Sequence, residues 1–114
     1  MKILIINGPN LNLLGMREHS HYGTLSLAEL RKTIEKENKT IVFEFFQSNI
    51  EGEIIEKIQN ASKKFDSLII NPGGYAHTSV SIKDALEECK IKKIEVHLSQ
   101  LTKREEYRQK NDIA

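Results

Sequence analysis

One cysteine, Cys89, stands in 114 residues, so neither an internal disulfide nor a multi-cysteine metal site can form. No apolar run reaches the ~20 residues that a membrane-spanning helix needs. The opening stretch MKILIING is too short for a secretory signal, and a reduced, cytoplasmic setting is expected. Neither sign of charge dominates, with 17 lysines and arginines against 16 aspartates and glutamates. Without a basic excess nothing points to nucleic acid, and without an acidic run nothing points to a solvated tail. Neither G-x-G-x-x-G nor a P-loop lysine follows the first apolar run, which argues against a nucleotide-phosphate cradle. His19 and His21 lack the further cysteine or histidine ligands of a metal site. No repeat, linker or low-complexity segment interrupts the chain.

What is present suits one domain over residues 1–114. A hydrophobic content of 39% supplies a core, and 29% charged residues supply a wettable surface. Ile3 to Ile6 is a short β-branched run that ends at Asn7-Gly8-Pro9-Asn10. It reads as a buried strand feeding a turn. Gly15 to Gly23 reads as a mobile polar loop. Ser26 and Glu29 form a capping box before Leu27, Leu30 and Ile34 at helical spacing. Thr40 to Phe46 predicts a second strand, and Ile54, Ile58 and Ala61 a second helix. Ser67 to Ile70 predicts a third strand, closed by Asn71-Pro72-Gly73-Gly74. Ile82, Ala85, Leu86 and Cys89 fall at i, i+3, i+4 and i+7, the buried stripe of a third helix. Ile94 to Leu98 predicts a fourth strand. Thr102 and Glu105 form a second capping box, opening a polar helix. Strand and helix thus alternate, which predicts an α/β fold with a parallel sheet and helices on both faces.

On that framework the polar, chemistry-capable residues gather where strands end. Asn7, Asn10 and Asn12 follow the first strand, Asn71, Tyr75 and His77 the third, and His97, Ser99 and Gln100 the fourth. Open α/β sheets bind ligands at the strands' carboxyl ends, where the strand order reverses. For a sheet of order 2-1-3-4 the reversal lies between strands one and three. Loops are also polar for want of anything to bury. Pro72 biases Asn71 to an extended backbone, and Gly73 and Gly74 permit positive φ and close approach. Thr78 and Ser79 stand near a helix N-terminus, which either receives an anion or is simply capped. Glu95 and His97, two apart on a strand, share a face. A carboxylate beside an imidazole fixes its tautomer and suits it to general-acid work, although a single histidine at a strand end is more often structural.

Read together, the motifs resemble a known family. Asn7 to Asn12 (NGPNLN), the loop from Leu14-Gly15 through Tyr22-Gly23, residues 45–59 (FFQSNIEGEIIEKIQ), residues 70–86 (INPGGYAHTSVSIKDAL), residues 95–99 (EVHLS) and residues 104–108 (REEYR) together resemble the type II 3-dehydroquinate dehydratases. The resemblance runs along essentially the whole chain, in order. It implies a flavodoxin-like, doubly wound parallel sheet of order 2-1-3-4 and assembly of trimers into a dodecamer. It also implies a fifth strand and closing helix, which these 114 residues do not supply. The fourth strand is accordingly expected at a sheet edge, with stability and assembly more affected than chemistry.

The resemblance implies a lyase that converts 3-dehydroquinate to 3-dehydroshikimate and water through an enolate, with no Schiff base, metal or organic cofactor. Such a step serves aromatic amino-acid and chorismate biosynthesis by the shikimate pathway, or quinate breakdown. Tyr22 matches the base. A free phenol titrates near pH ~10, and making it a base at neutrality takes about 4 kcal/mol of differential stabilisation. Arg17, on the same loop, matches the cation that favours the phenolate, helped by loop closure and exclusion of solvent. Asn10 matches the residue that holds a water against the enolate oxygen. His97 matches the general acid and Glu95 its partner. Asn71, His77 and Arg108 match groups that bind the ring hydroxyls. Leu98 and Ser99 match the carboxylate pocket, and Asp84 an aspartate that reaches a neighbouring subunit's site. Taken singly, Tyr22 is as easily a loop anchor, Arg17 a solvated charge, Asp84 surface decoration and Arg108 a helix partner of Glu105.

Two further departures accompany the short C-terminus. His19 stands where the lid loop usually has proline, and Gln100 where asparagine usually follows Ser99. Two rivals make different predictions. A catalytically weak or inactive remnant, which no longer assembles or closes its lid, would run as a monomer in gel filtration. A non-enzymatic flavodoxin-like module would bind a flavin, nucleotide or protein partner instead of a dehydroquinate analogue.

Overall fold

The structure, a computed structural model, describes residues 1–14 and 26–97. Strand β1 spans Lys2–Asn7, followed by a 3₁₀ turn at Leu11–Leu13. Helix α1 spans Leu27–Glu37, β2 Val42–Gln47, α2 Glu51–Asn60, β3 Ser67–Asn71, α3 Tyr75–Thr78, α4 Val80–Glu88 and β4 Lys92–Glu95. The four strands form one parallel sheet of order β2-β1-β3-β4. The expected doubly wound α/β arrangement is present, with the reversal between β1 and β3.

Residues alternate across the sheet, and each face meets different helices. Leu4 and Ile6 of β1 join Leu68 and Ile70 of β3 in the main core, under Ile54 and Ile58 of α2 and Ile82 and Ala85 of α4. Ile3, Ile5, Phe43, Phe45 and Ile69 face the other way, towards Leu27, Leu30 and Ile34 of α1. Between them lies an apolar cleft of about 420 Å³. α1 contains no fully buried residue, so its capping matters. The capping box forms as its spacing predicts. Glu29 N donates to Ser26 Oγ at 3.1 Å and Ser26 N to Glu29 Oε1 at 3.4 Å.

Several boundaries differ from expectation. β2 begins at Val42 rather than Thr40, because Ile41 is still bonded in the turn from Asn38 (3.1 Å). The third-helix stripe is half realised. Ile82 and Ala85 are buried, whereas Leu86 and Cys89 are half-buried, and Cys89 leaves the helix at ψ 127. β4 starts earlier than Ile94, and all four of its residues are exposed. Its only neighbour among the described residues is β3, so one edge is unpaired. Gly74 has φ −61 and opens α3 in ordinary helical geometry; only Gly73, at φ +62, takes up the expected positive φ. The helix expected after Thr102 and the loop Gly15 to Gly23 lie outside the described residues. No described helix is long and apolar enough to cross a membrane.

Candidate active site

The two central strands end in asparagines that stand level with each other. Asn7 is in register with Asn71 on one side and with Gln47 on the other. Parallel pairing points these three amides to one face, that of α1, in a row across the sheet's carboxyl edge. Asn7 and Asn71 are buried at 6% and 2% exposure, a placement that polar side chains tolerate when hydrogen-bonded. The Asn71 side chain accepts from Gly73 N at 3.2 Å through Oδ1. Its buried Nδ2 makes no hydrogen bond among the described residues. A buried amide donor without a partner costs roughly 1–3 kcal/mol, which makes it a ready donor to a ligand oxygen.

The loops after β1 and β3 are locked backbone against backbone. Gly8 N donates to Asn71 O at 2.7 Å. A Cβ on Gly8 would stand 2.4 Å from Pro72 O, and one on Gly73 would stand 3.0 Å from Pro9 O. Only glycine permits this contact at position 8. Asn10 follows with φ 69, the one positive-φ non-glycine among the described residues. Asparagine tolerates this left-handed geometry better than most side chains.

At the end of β4 the alternation persists one residue past the strand, because Val96 N still donates to Ile70 O at 2.8 Å. Glu95 and His97 therefore share a side. His97 Nε2 stands 2.8 Å from Glu95 Oε2. The carboxylate is an obligate acceptor, so Nε2 carries the hydrogen. Nδ1 is then the nitrogen left for other chemistry; it is buried and unpartnered among the described residues.

The N-terminus of α4 takes the simpler of its two expected roles. Ser79 caps it, accepting from Ile82 N at 3.0 Å. The Ser79 hydroxyl itself donates to the carboxylate of Glu51 on α2. A protein carboxylate thus occupies the ground where an anion was anticipated, and the bond ties α2 to α4.

Of the anticipated site residues, Asn10, Asn71, His77, Glu95 and His97 are brought to the carboxyl end of the sheet, with His77 exposed on α3. Asp84 is exposed on α4, away from the buried Ile82 and Ala85. Arg17, Tyr22, Leu98, Ser99 and Arg108 lie outside the described residues. Two residues without an anticipated role join the site, Gln47 from the last position of β2 and Asn49 from just past it. Gln47 Nε2 donates to Gly8 O and Asn49 Oδ1, each at 3.1 Å, and Asn49 Oδ1 also accepts from Asn10 N at 2.9 Å. Their position just after an apolar strand was the available signal. Among the described residues no three His, Cys, Asp or Glu side chains are grouped to hold a metal ion.

Comparison with known proteins identifies this constellation's relatives. The 3-dehydroquinate dehydratase of Fusobacterium nucleatum is 54% identical over 113 residues, covering 95% of this chain and 77% of that protein. The 3-dehydroquinate dehydratase of Clostridium perfringens is 54% identical over 117 residues, covering 100% of this chain and 80% of that protein. The crystal structure of a type II dehydroquinase from Butyrivibrio crossotus superimposes with a TM-score of 0.80 at 49% identity, covering 95% of this chain and 77% of that one. The model of the family described as dehydroquinase class II matches residues 1–114. An asparagine-lined sheet edge, a carboxylate-held histidine and relatives at this level of identity lead to one conclusion: the chain belongs to the class II dehydroquinase family.

Proposed function

We propose that the chain removes water from 3-dehydroquinate to give 3-dehydroshikimate, as its family does, using amino-acid side chains without a metal or organic cofactor. The observation that carries this reading is the His97–Glu95 pair, whose free Nδ1 is buried at the same sheet end as Asn10 and Asn71. Such a nitrogen can deliver a proton to a leaving hydroxyl from the imidazolium form, whose charge Glu95 stabilises, and donation leaves the neutral ring with its Nε2 hydrogen still on Glu95.

In this reading Tyr22, activated by Arg17, removes a proton from the carbon next to the ketone. The electrons move into the carbonyl oxygen, and Asn10 stabilises the resulting enolate through a held water. The enolate then collapses and expels the hydroxyl, which takes the His97 proton and leaves as water. Asn71, His77 and Arg108 bind ring hydroxyls. Leu98 and Ser99 receive the substrate carboxylate. The orphaned Asn71 Nδ2 supports its assignment as a donor to the substrate. We assign the enzyme to the cytoplasm and to a trimer-based homo-oligomer in which Asp84, exposed on α4, reaches a neighbouring site.

The test is the ultraviolet absorbance of the conjugated enone product after 3-dehydroquinate is added to the purified chain. An enzyme-dependent rise that survives borohydride treatment supports the reading and excludes a lysine Schiff base. No rise, from protein that elutes as an oligomer, would sink it.

A further inference from the structure

The left-handed backbone of Asn10 is unusual among the described residues, and something has to hold it. Non-glycine residues adopt this geometry at a cost and persist there when the surroundings over-determine them. The surroundings of Asn10 include Gln47, the last residue of β2, and Asn49, two residues beyond it. Gln47 Nε2 donates to Gly8 O at 3.1 Å. Since Gly8 O can only accept, the Gln47 atom is nitrogen. The same nitrogen stands 3.1 Å from a side-chain atom of Asn49, which also lies 2.9 Å from the Asn10 N–H. Two donors converge on that atom, so it is the Asn49 oxygen. The amide orientations are thereby fixed by the chemistry of their neighbours.

The chain of bonds runs from the β1 loop at Gly8, through Gln47 and Asn49, and back to the β1 loop at Asn10. It closes a ring around the turn that contains the strained residue. Asn49 is also tied to the β3 loop, because Tyr75 Oη donates to Asn49 O at 3.3 Å. One residue just past β2 therefore touches both segments that carry the site.

We propose that Asn49, oriented by Gln47, is a positioning residue. It clamps the Asn10 backbone so that the Asn10 side chain is aimed where enolate charge develops. This rests on the reading of Asn10 given above. A clamp of this kind acts on the transition state rather than on substrate affinity, since misplacement of an oxyanion group slows the step it serves. Asn49 is exposed and contributes no burial to the core, so its loss should not unfold the chain.

The experiment is a double-mutant cycle with Asn49→Ala and Asn10→Gly, read by the enone assay and by thermal melting. Glycine removes the Asn10 side chain while keeping positive φ available. Asn49→Ala is expected to lower kcat roughly tenfold or more, with KM changed less than about twofold and the melting temperature nearly unchanged. In the Asn10→Gly background the same Asn49→Ala change should cost almost nothing further, since the group it aims is gone. If Asn10→Gly slows turnover but Asn49→Ala does not, or the two losses multiply, the clamp is overturned while the role of Asn10 stands. If Asn10→Gly retains full kcat, the role of Asn10 falls and the clamp falls with it.

Discussion

At the residue scale, the proposed base and acid should fail in different ways. Tyr22→Phe removes the base but keeps the ring that lines the pocket. It is expected to abolish turnover while a substrate analogue still binds, a combination that calorimetry with the inactive variant measures. His97→Ala should cost at least the ~10²-fold typical of a lost general acid. It also strands Glu95, whose partner is the imidazole at 2.8 Å. Full activity in either variant would refute the assigned role. Gly8 is a third test with a steric cause. A methyl group there would sit 2.4 Å from a backbone oxygen, and backbone cannot rotate away as a side chain can. Gly8→Ala is expected to destabilise the fold by about 2 kcal/mol or more and to slow turnover, because relief separates the Asn10 and Asn71 loops. Denaturant melts and the enone assay check both.

This residue scale is where the sequence was most and least informative. The Glu95–His97 pair was legible because a spacing of two on a strand is enough to put side chains together. The roles of Gln47 and Asn49 were not. Their partners are 39 residues away in sequence, and no local period encodes a contact at that distance. Tyr22, Arg17, Leu98, Ser99 and Arg108 rest on resemblance, since they lie outside the described residues.

At the scale of elements, legibility followed how local each signal is. The α1 capping box was read correctly from four consecutive residues because its two bonds close within them. The start of β4 was misplaced because edge strands need no apolar run, and this one opens with Lys92 and Lys93. The short α3 was missed; a helix of four residues has no period to detect. Since α1 buries no residue completely, its cap should carry an unusual share of its stability. Ser26→Ala is expected to cost about 1 kcal/mol, seen as lost helicity and a lower melting temperature, whereas Ser26→Asp should recover most of it. An edge element supplies the pH test. Glu44 on β2 accepts from Lys64 at 2.9 Å and Lys57 at 3.1 Å. Lys64 first, then Lys57, holds its carboxyl below the usual carboxylate range. A carboxyl depressed in the fold adds stability that is present above its unfolded value of ~4.3 and is lost as pH falls through the folded value. Each group is partly exposed, so the gain stays under about 1 kcal/mol. Glu44→Gln should therefore lower the melting temperature slightly at pH 7 and flatten its fall below about pH 4; an unchanged slope would dismiss the pair as a source of acid sensitivity.

At the scale of the whole molecule, the sheet is covered unequally. One face meets α2 and α4 in a packed core whose Ile54 and Ile58 are 0% and 1% exposed. The other meets α1 across an open cleft of about 420 Å³, with Ile94 at 46% exposure beyond it. The same substitution should therefore cost different amounts on the two sides. Ile58→Ala removes a side chain that its neighbours surround completely, and the loss combines transfer energy with an unfilled cavity, about 2–5 kcal/mol. Ile34 on α1 is half-buried and borders space already open. Ile34→Ala forfeits only part of a side chain's burial, and alanine's better helix propensity offsets some of it. The expected cost is about 1 kcal/mol or less. Urea melts of the two variants decide the point. Equal losses would mean that the α1 face is packed as tightly in solution as the α2–α4 face, with the cleft filled from outside residues 1–14 and 26–97.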